Sequence, residues 1–237
     1  MKVIKHIENA KGKTQFSFEI LPPLKGQNIQ TIFENIDRLM EFKPPFIDVT
    51  YHREEYTYKE LPNGLLEKQV VRKRPGTVGI CAAIQNKYKV DAIPHILCGG
   101  FDKEDTENFL IDLHFLKKKV EAGANYVVTQ MFFDNQKYFA FVEKCRQAGI
   151  EVPIIPGLKP MATAKQLNLI PHRFHVDLPE PLIKEVIKCK DNKQVRQVGI
   201  EWCINQSKEL IDFGVPFLHY YSMGKSDNIH AIAKEVF

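Results

Sequence analysis

Glu121-Ala122-Gly123-Ala124-Asn125, followed at once by YVVTQMFF at 126–133, is the stretch that sets the fold class of this 237-residue chain. A helix-like segment ends in Gly, and an apolar run begins with almost no intervening loop. Gly suits the left-handed position after a helix because a side chain there would clash. The run that follows is apolar at nearly every residue, the mark of a strand buried on both faces and so of a parallel sheet. The pattern recurs as Gln147-Ala148-Gly149-Ile150 before VPIIPGL, and as Asp212-Phe213-Gly214 before VPFLHYY. Three helix-then-strand units of this kind predict an α/β fold.

The first half continues the alternation. FSFEIL at 16–21 reads as a strand stopped by Pro22-Pro23, and FIDVTY at 46–51 as a second. AIPHILC at 92–98 is a third, and 125–133, 152–158 and 217–222 complete six. Residues 27–42 place Ile29, Ile32, Phe33, Ile36, Leu39 and Met40 on one helical face. Further helices are predicted over 103–122, 136–148, 180–189, 193–212 and 226–236. The polar and aromatic stretch 52–76 carries no clear helical period. With no linker, residues 1–237 read as one domain.

A hydrophobic content of 44% with 16 Phe supplies a sizeable core, which excludes intrinsic disorder. Lys and Arg total 33 against 29 Asp and Glu, a net charge of +4 that is too mild and dispersed to argue for nucleic acid. Arg72-Lys73-Arg74 and Lys117-Lys118-Lys119 read as solvated faces. No apolar stretch approaches the roughly 20 residues of a membrane helix, and the N-terminus lacks a signal peptide's apolar middle. Cys81, Cys98, Cys145, Cys189 and Cys203 are widely spaced without a CxxC pair, as expected of reduced thiols in the cytoplasm.

Alternating β and α over one domain leaves an open doubly wound sheet or a closed (β/α)₈ barrel. Neither GxGxxG nor GxxxxGK[ST] follows the first strand, so the nucleotide-binding fingerprints of the open sheet are missing. Polar residues instead stand in or at the ends of the apolar runs: Glu19, Thr50, His95, Thr129-Gln130 and Tyr221-Ser222. Catalytic groups of a barrel come from the ends of several strands, which favours the barrel. Six strands are two short of closure, and the missing units belong near residues 105–117.

Glu19 is the most informative residue. A carboxylate within FSFEIL is costly to bury unless it faces a polar cavity or a partner, and desolvation would keep it protonated and able to act as an acid. An edge-strand Glu or a buried ion pair is the plain alternative. Gln130 could bind a planar heterocycle through its amide, or merely end its strand. His95 reads as a phosphate or ribose contact or as a satisfied core histidine. His172 and His175 have metal-like spacing only in a helix, and Pro171 and Pro179 argue for a loop there, so no metal is expected. Ser17 and Ser222 lack a nucleophile-elbow context.

Together, FSFEILPP at 16–23, FKPPFIDVTY at 42–51, IPHILC at 93–98, LKKKVEAGANYVVTQMFFD at 116–134, AGIEVPIIPGLKP at 148–160 and LHYYSMG at 218–224 resemble the catalytic domain of the methylenetetrahydrofolate reductase family. The resemblance implies a (β/α)₈ barrel holding FAD at its C-terminal face. NADH or NADPH would reduce the flavin and leave, and methylenetetrahydrofolate would then take hydride from flavin N5, feeding methionine synthesis. Glu19 matches the family's acid, which supplies a proton near N10. Gln130 matches its folate-contacting glutamine and Gln166 a second pterin-side or nicotinamide-side contact. Tyr221 matches the tyrosine ending the last strand, near flavin and substrate. Thr50, His95, Asp112 and Lys119 match positions that hold FAD. A cytoplasmic homo-oligomer of bacterial type, without a regulatory domain, is the corresponding expectation.

One departure is large. The family's strand ends Arg-Gly-Asp and Tyr-Pro-Glu do not occur, and the chain passes from ILCGGF through one helix straight to LKKKVEAGAN. A barrel with two strands cut out should not close, because strand number, tilt and shear are linked. The expectation is therefore that about 50–70 residues, two βα units of such a barrel, stand outside the sequence in hand. A true deletion would instead predict a damaged or flavin-free protein, with a folate-binding or pterin-binding barrel as the alternative function. A barrel lyase or aldolase would want a strand-end lysine for a Schiff base. Lys159, just outside the strand that ends in PGL, is the nearest candidate.

Overall fold

The alternation in QFSFEI decides the two faces of the central sheet. In a computed structural model, which describes residues 2–51, 55–95 and 109–237 (the side chains of Arg72 and of 109–112 excepted), β1 is Gln15–Ile20. Its even-numbered Phe16, Phe18 and Ile20 are buried in the main hydrophobic cluster, while Ser17 and Glu19 point to the opposite face. A two-residue period thus separates an apolar helix-facing side from a polar inner side within one strand.

The elements follow in the order α1 (Val3–Asn9), β1, α2 (Gln30–Asp37), a 3₁₀ turn Met40–Phe42, and β2 (Phe46–Val49). Next come β3 (Glu55–Glu60), β4 (Leu66–Arg72), α3 (Thr77–Tyr88), β5 (Asp91–Pro94), α4 (Phe109–Glu121) and β6 (Val127–Met131). The chain ends with α5 (Asn135–Gln147), β7 (Ile154–Leu158), α6 (Gln166–Phe174), α7 (Glu180–Lys188), α8 (Asn192–Asp212), β8 (Phe217–Tyr221) and α9 (Asp227–Val236). Six strands form one parallel sheet in the order β5-β2-β1-β8-β7-β6. Read as a circle, this is the chain order of a barrel, with first and last strands side by side: Gln15 pairs with Phe217, and Glu19 with Tyr221. The circle has one break, between β5 and β6.

Here the structure corrects the closed eight-stranded expectation. Among the described residues the arc has six strands and is a half-barrel. The two further units expected near 105–117 are not found among the described residues, and 105–108 lie outside them. Six strands alone, at any stagger, do not bring β5 onto β6 in the barrel's geometry.

Three other differences have local causes. The stretch 52–76 contains an antiparallel hairpin, β3–β4, turned by Pro62-Asn63-Gly64 with Gly64 at φ +77°. Its strands are exposed on both faces, so neither alternation nor an apolar run announces it. α3 buries Ile80, Cys81 and Ile84, but Gly79 and its β-branched neighbours weaken its helical signal. Residues 171–174, expected as loop, belong to α6, which contains Pro171 and ends at His175 in the left-handed conformation. His172 is therefore helical. No helix among the described residues is long and apolar enough to cross a membrane. Cys81, Cys145 and Cys203 are buried free thiols, and Cys98 lies outside the described residues.

Apolar clusters bracket the polar inner layer. Phe46, Ile155, Phe217 and Val3 of α1 plug the N-terminal end of the arc. Met131, Phe133, Met161, Ile170, Leu182, Val186 and Val195 close the other end beneath α6, α7 and α8. The loop after β7 is pinned at Gly199 of α8, where a Cβ would stand 1.9 Å from the Met161 carbonyl oxygen. Backbone cannot give way as a side chain does, so Gly199→Ala is expected to destabilise the fold by about 1–3 kcal/mol, as overpacking does. Urea unfolding checks this, and a midpoint equal to the parent's would show that α8 does not fix the loop.

Candidate active site

All six strands of the arc deliver a polar residue to its C-terminal end. Glu19 lies next to last in β1, Gln130 next to last in β6, and Tyr221 ends β8. Thr50, His95 and Lys159 each follow directly on β2, β5 and β7. Glu19, Thr50, Gln130, Gln166, Lys159 and Tyr221 line one cavity of about 480 Å³, with Leu169, Ile170 and Phe174 of α6 supplying apolar wall.

Glu19 is only 8% exposed. Burial, the largest influence, raises its carboxyl above the ordinary value of 4.5, and the Asp48 carboxylate adds to the rise. The Thr50 hydroxyl, His95 and Lys159 pull the other way without reversing it. Thr50 Oγ1 is itself buried without a hydrogen-bond partner among the described residues. His95 bridges two carboxylates: Nδ1 stands 3.8 Å from Glu19 Oε2, and Nε2 stands 3.8 Å from Asp48 Oδ2. Asp48 raises the His95 value despite the opposing effect of burial. The His95 main chain is held by its N–H on Val49 O at 2.9 Å, and its carbonyl accepts from Thr77 Oγ1 at 3.1 Å.

Beneath these lies a second pair. His219 is fully buried, 3.6 Å from Asp48 Oδ2 through Nε2 and 2.9 Å from Ser17 Oγ through Nδ1. Burial lowers its value, so the ring is neutral. Its proton then belongs on Nε2 toward the carboxylate, and the Ser17 hydroxyl donates to Nδ1. Asp48 and His219 are not singled out in the sequence, and Ser17 is weighed there only as a nucleophile and dismissed. The two-residue period of FSFEI was the available signal, since it puts Ser17 on the same face as Glu19 and, across the sheet, beside His219.

The end of β6 is shaped by a bulge. Val128 pairs with Ile155 and Met131 with Gly157, so β6 spends one residue more than β7 over that interval. Gly157 N–H therefore donates to the Thr129 hydroxyl at 3.0 Å. The Thr129 carbonyl accepts from Tyr221 Oη at 2.6 Å, the tyrosine crossing over Gly157. A Cβ on Gly157 would stand 2.6 Å from the Tyr221 ring, so only glycine permits that crossing. Gln130 Oε1 folds back onto Met131 N at 3.0 Å. Gln166 Oε1 accepts from Ala162 N at 2.7 Å and Thr163 N at 2.9 Å, which commits its carbonyl to the turn before α6.

The other two expected residues do not join this group. Lys119 is exposed in the last turn of α4, the end that leads into the start of β6, and so lies at the opposite end of the arc. Asp112 falls on α4 with its side chain outside the described residues. Lys159, discounted for lying beyond its strand, is part-buried and lines the cavity, and desolvation lowers its amine to about 8 against the raising effect of Glu19. Among the described residues no three His, Cys, Asp or Glu side chains gather as metal ligands.

A carboxyl raised in the folded state binds its proton more tightly there than in the unfolded chain. Glu19 thus costs stability as pH rises above 4.5 and the charged form must be buried. Glu19→Gln is expected to melt higher than the parent at neutral pH, with a gap that narrows toward pH about 4. A gap that is constant from pH about 4 to about 8 would place the Glu19 carboxylate in contact with water.

The profile of the family described as methylenetetrahydrofolate reductase matches residues 2–114 and 103–236. The two matched ranges overlap at 103–114, so the pattern is met in two pieces joined where the arc is broken. The 5,10-methylenetetrahydrofolate reductase of Escherichia coli is 27% identical over 95% of this chain and 92% of its own. That alignment spans 271 positions, more than this chain possesses. Methylenetetrahydrofolate reductase (NADH) 1 of Arabidopsis thaliana is 26% identical over 94% of this chain, which spans 48% of the plant protein's length. In fold, the chain is similar to a Clostridium thermocellum protein that binds two copies of 5-methyl-5,6,7,8-tetrahydrofolic acid, with a TM-score of 0.60, 13% identity and coverage of 99% and 98%. With matches on both sides of the break that take in nearly every residue, the chain belongs to the methylenetetrahydrofolate reductase family.

Proposed function

We propose that this cavity reduces 5,10-methylenetetrahydrofolate to 5-methyltetrahydrofolate, with Glu19 as the acid. The observation that carries the reading is the buried carboxyl of Glu19, its proton affinity raised by burial, on the floor of a cavity rimmed by Gln130 and Tyr221. Glu19 gives its proton to N10 of the bound folate, which opens the five-membered ring to an iminium at N5. The resulting carboxylate is held by the imidazole of His95 at 3.8 Å and by the nearby Lys159 amine. Gln130 Nε2, unpartnered among the described residues, donates to the pterin, and the apolar α6 wall keeps water from the iminium.

The reductant in this reading is NADH or NADPH, and the hydride carrier is FAD. Thr50, with its orphaned hydroxyl, and His95 would hold the ring end of the flavin at the ends of β2 and β5, which fits them. FAD held there would supply a hydride carrier between the nicotinamide and the one-carbon unit. The protein acts as one catalytic domain, a homo-oligomer of the cytoplasm, in the supply of methyl groups for methionine synthesis. A second reading is favoured by one observation, the break between β5 and β6: a folate-binding half-barrel without flavin. Lys119 at the far end of the arc supports it too.

An anaerobic absorbance titration separates the two. The reductase reading expects a yellow protein that bleaches on adding reduced nicotinamide and recolours on adding methylenetetrahydrofolate. A colourless protein that gains no flavin band from added FAD, yet binds 5-methyltetrahydrofolate, puts the second reading in its place. In the flavoprotein case, Glu19→Gln keeps the bleaching step and loses at least about a hundredfold in the recolouring step, the scale of acid catalysis. Equal losses in both steps would remove Glu19 as the acid.

A further inference from the structure

Lys159 is a part-buried amine in the cavity whose part in the proposed reduction, steadying the Glu19 carboxylate by charge, leaves its nitrogen free of any bond to substrate. It follows β7 directly, at the end of the arc where barrels place their catalytic groups. Its side chain makes no hydrogen bond or ion pair among the described residues, although it feels the charge of Glu19. The other charged or titratable groups lining its surroundings are Tyr221 of β8, Arg173 of α6 and, on its second side, Glu34, Arg196, Lys225 and Asp227. Partial desolvation without a direct partner disfavours the ammonium and raises the share of the neutral amine, a nucleophile.

We propose that Lys159 is an amine nucleophile that condenses with a small aldehyde in this cavity, Glu19 serving as the acid of the condensation. The amine nitrogen adds to the carbonyl carbon and gives a carbinolamine. Glu19 then protonates the carbinolamine hydroxyl, water departs, and a carbon–nitrogen double bond remains on Lys159. Nothing is oxidised or reduced, and water returns the proton to Glu19 when the imine is hydrolysed. Formaldehyde is the smallest member of the class and has the oxidation level of the carbon borne by methylenetetrahydrofolate. The choice of a one-carbon aldehyde rests on the folate reading, whereas the nucleophilic amine does not.

The test treats the purified chain near neutral pH with formaldehyde and cyanoborohydride, which reduces the imine to a methylated lysine, and follows each lysine by peptide mass spectrometry. An amine lowered to about 8 has a neutral fraction roughly a hundredfold above that of an ordinary lysine. Lys159 is therefore expected to label at least about tenfold faster than exposed Lys193 and Lys208. Lys159→Arg, which keeps the charge, and Lys159→Met should each remove the fast phase. Labelling of Lys159 no faster than of Lys193 overturns the inference, as does a fast phase that survives both variants. Added 5-methyltetrahydrofolate should slow the labelling of Lys159 and spare Lys193. Fast labelling that this folate leaves unslowed upholds the amine's role and removes the folate reading of the cavity.

Discussion

A sheet that gives one face to helices must put something on the other, and in this chain that something is charge. Glu19, Asp48 and His219 are almost wholly removed from water on the inner side of the arc, with His95 at their edge. Ionised groups in such a place survive only if opposite charges or hydrogen bonds compensate them. The chain meets this by alternation. His95 stands between two carboxylates, His219 stays neutral between Asp48 and Ser17, and burial shifts Glu19 toward its protonated form. The same arrangement that makes the inner layer tolerable makes it chemically active, because a carboxyl that prefers its proton is an acid waiting for a base.

Much of the fold was legible because buried parallel strands leave a plain trace. The six apolar runs became the six strands of the arc, each within a few residues of its expected limits. Helices whose apolar faces meet the sheet, such as α5 and α8, were equally plain. The elements that escaped lack that trace. β3 and β4 bury nothing, so no pattern of burial can reveal them, and their turn signal alone was too short to be decisive. α1 closes the bottom of the arc mainly through Val3, too little apolar surface for a periodic signature.

The site shows a similar division. Glu19, Thr50, Gln130 and Tyr221 were readable because polar residues interrupt apolar strands at fixed ends, and strand ends are where the topology gathers side chains. Asp48 was hidden by its own neighbour: in FIDVTY the eye takes the terminal Thr50, while the residue that organises both histidines sits two positions earlier on the same face. Lys159 was set aside because it lies one residue past its strand, although a long side chain reaches back from there into the cavity. Lys119 lies apart from the cavity for a topological reason. A helix that returns across the arc carries its last turn away from the strand ends, and resemblance in sequence does not reveal which end a shortened connection now serves.

The pairing of β1 with β8 has a consequence for how the molecule comes into being. Ser17 and His219, hydrogen-bonded neighbours, are 202 residues apart in the chain. On one side of β8 stand β1, β2 and β5, and on the other β7 and β6; among the described residues no other strand joins the two sets. During synthesis from the N-terminus, the first set and then the second can assemble, yet they remain separate sheets with bare edges until the last strand has emerged. Only then does one insertion unite them and enclose Glu19. Contacts so distant in sequence are slow to form, and exposed strand edges invite pairing with other chains in the interval. The final five-residue strand is thus the keystone of the arc: laid last, it carries the load of both sides.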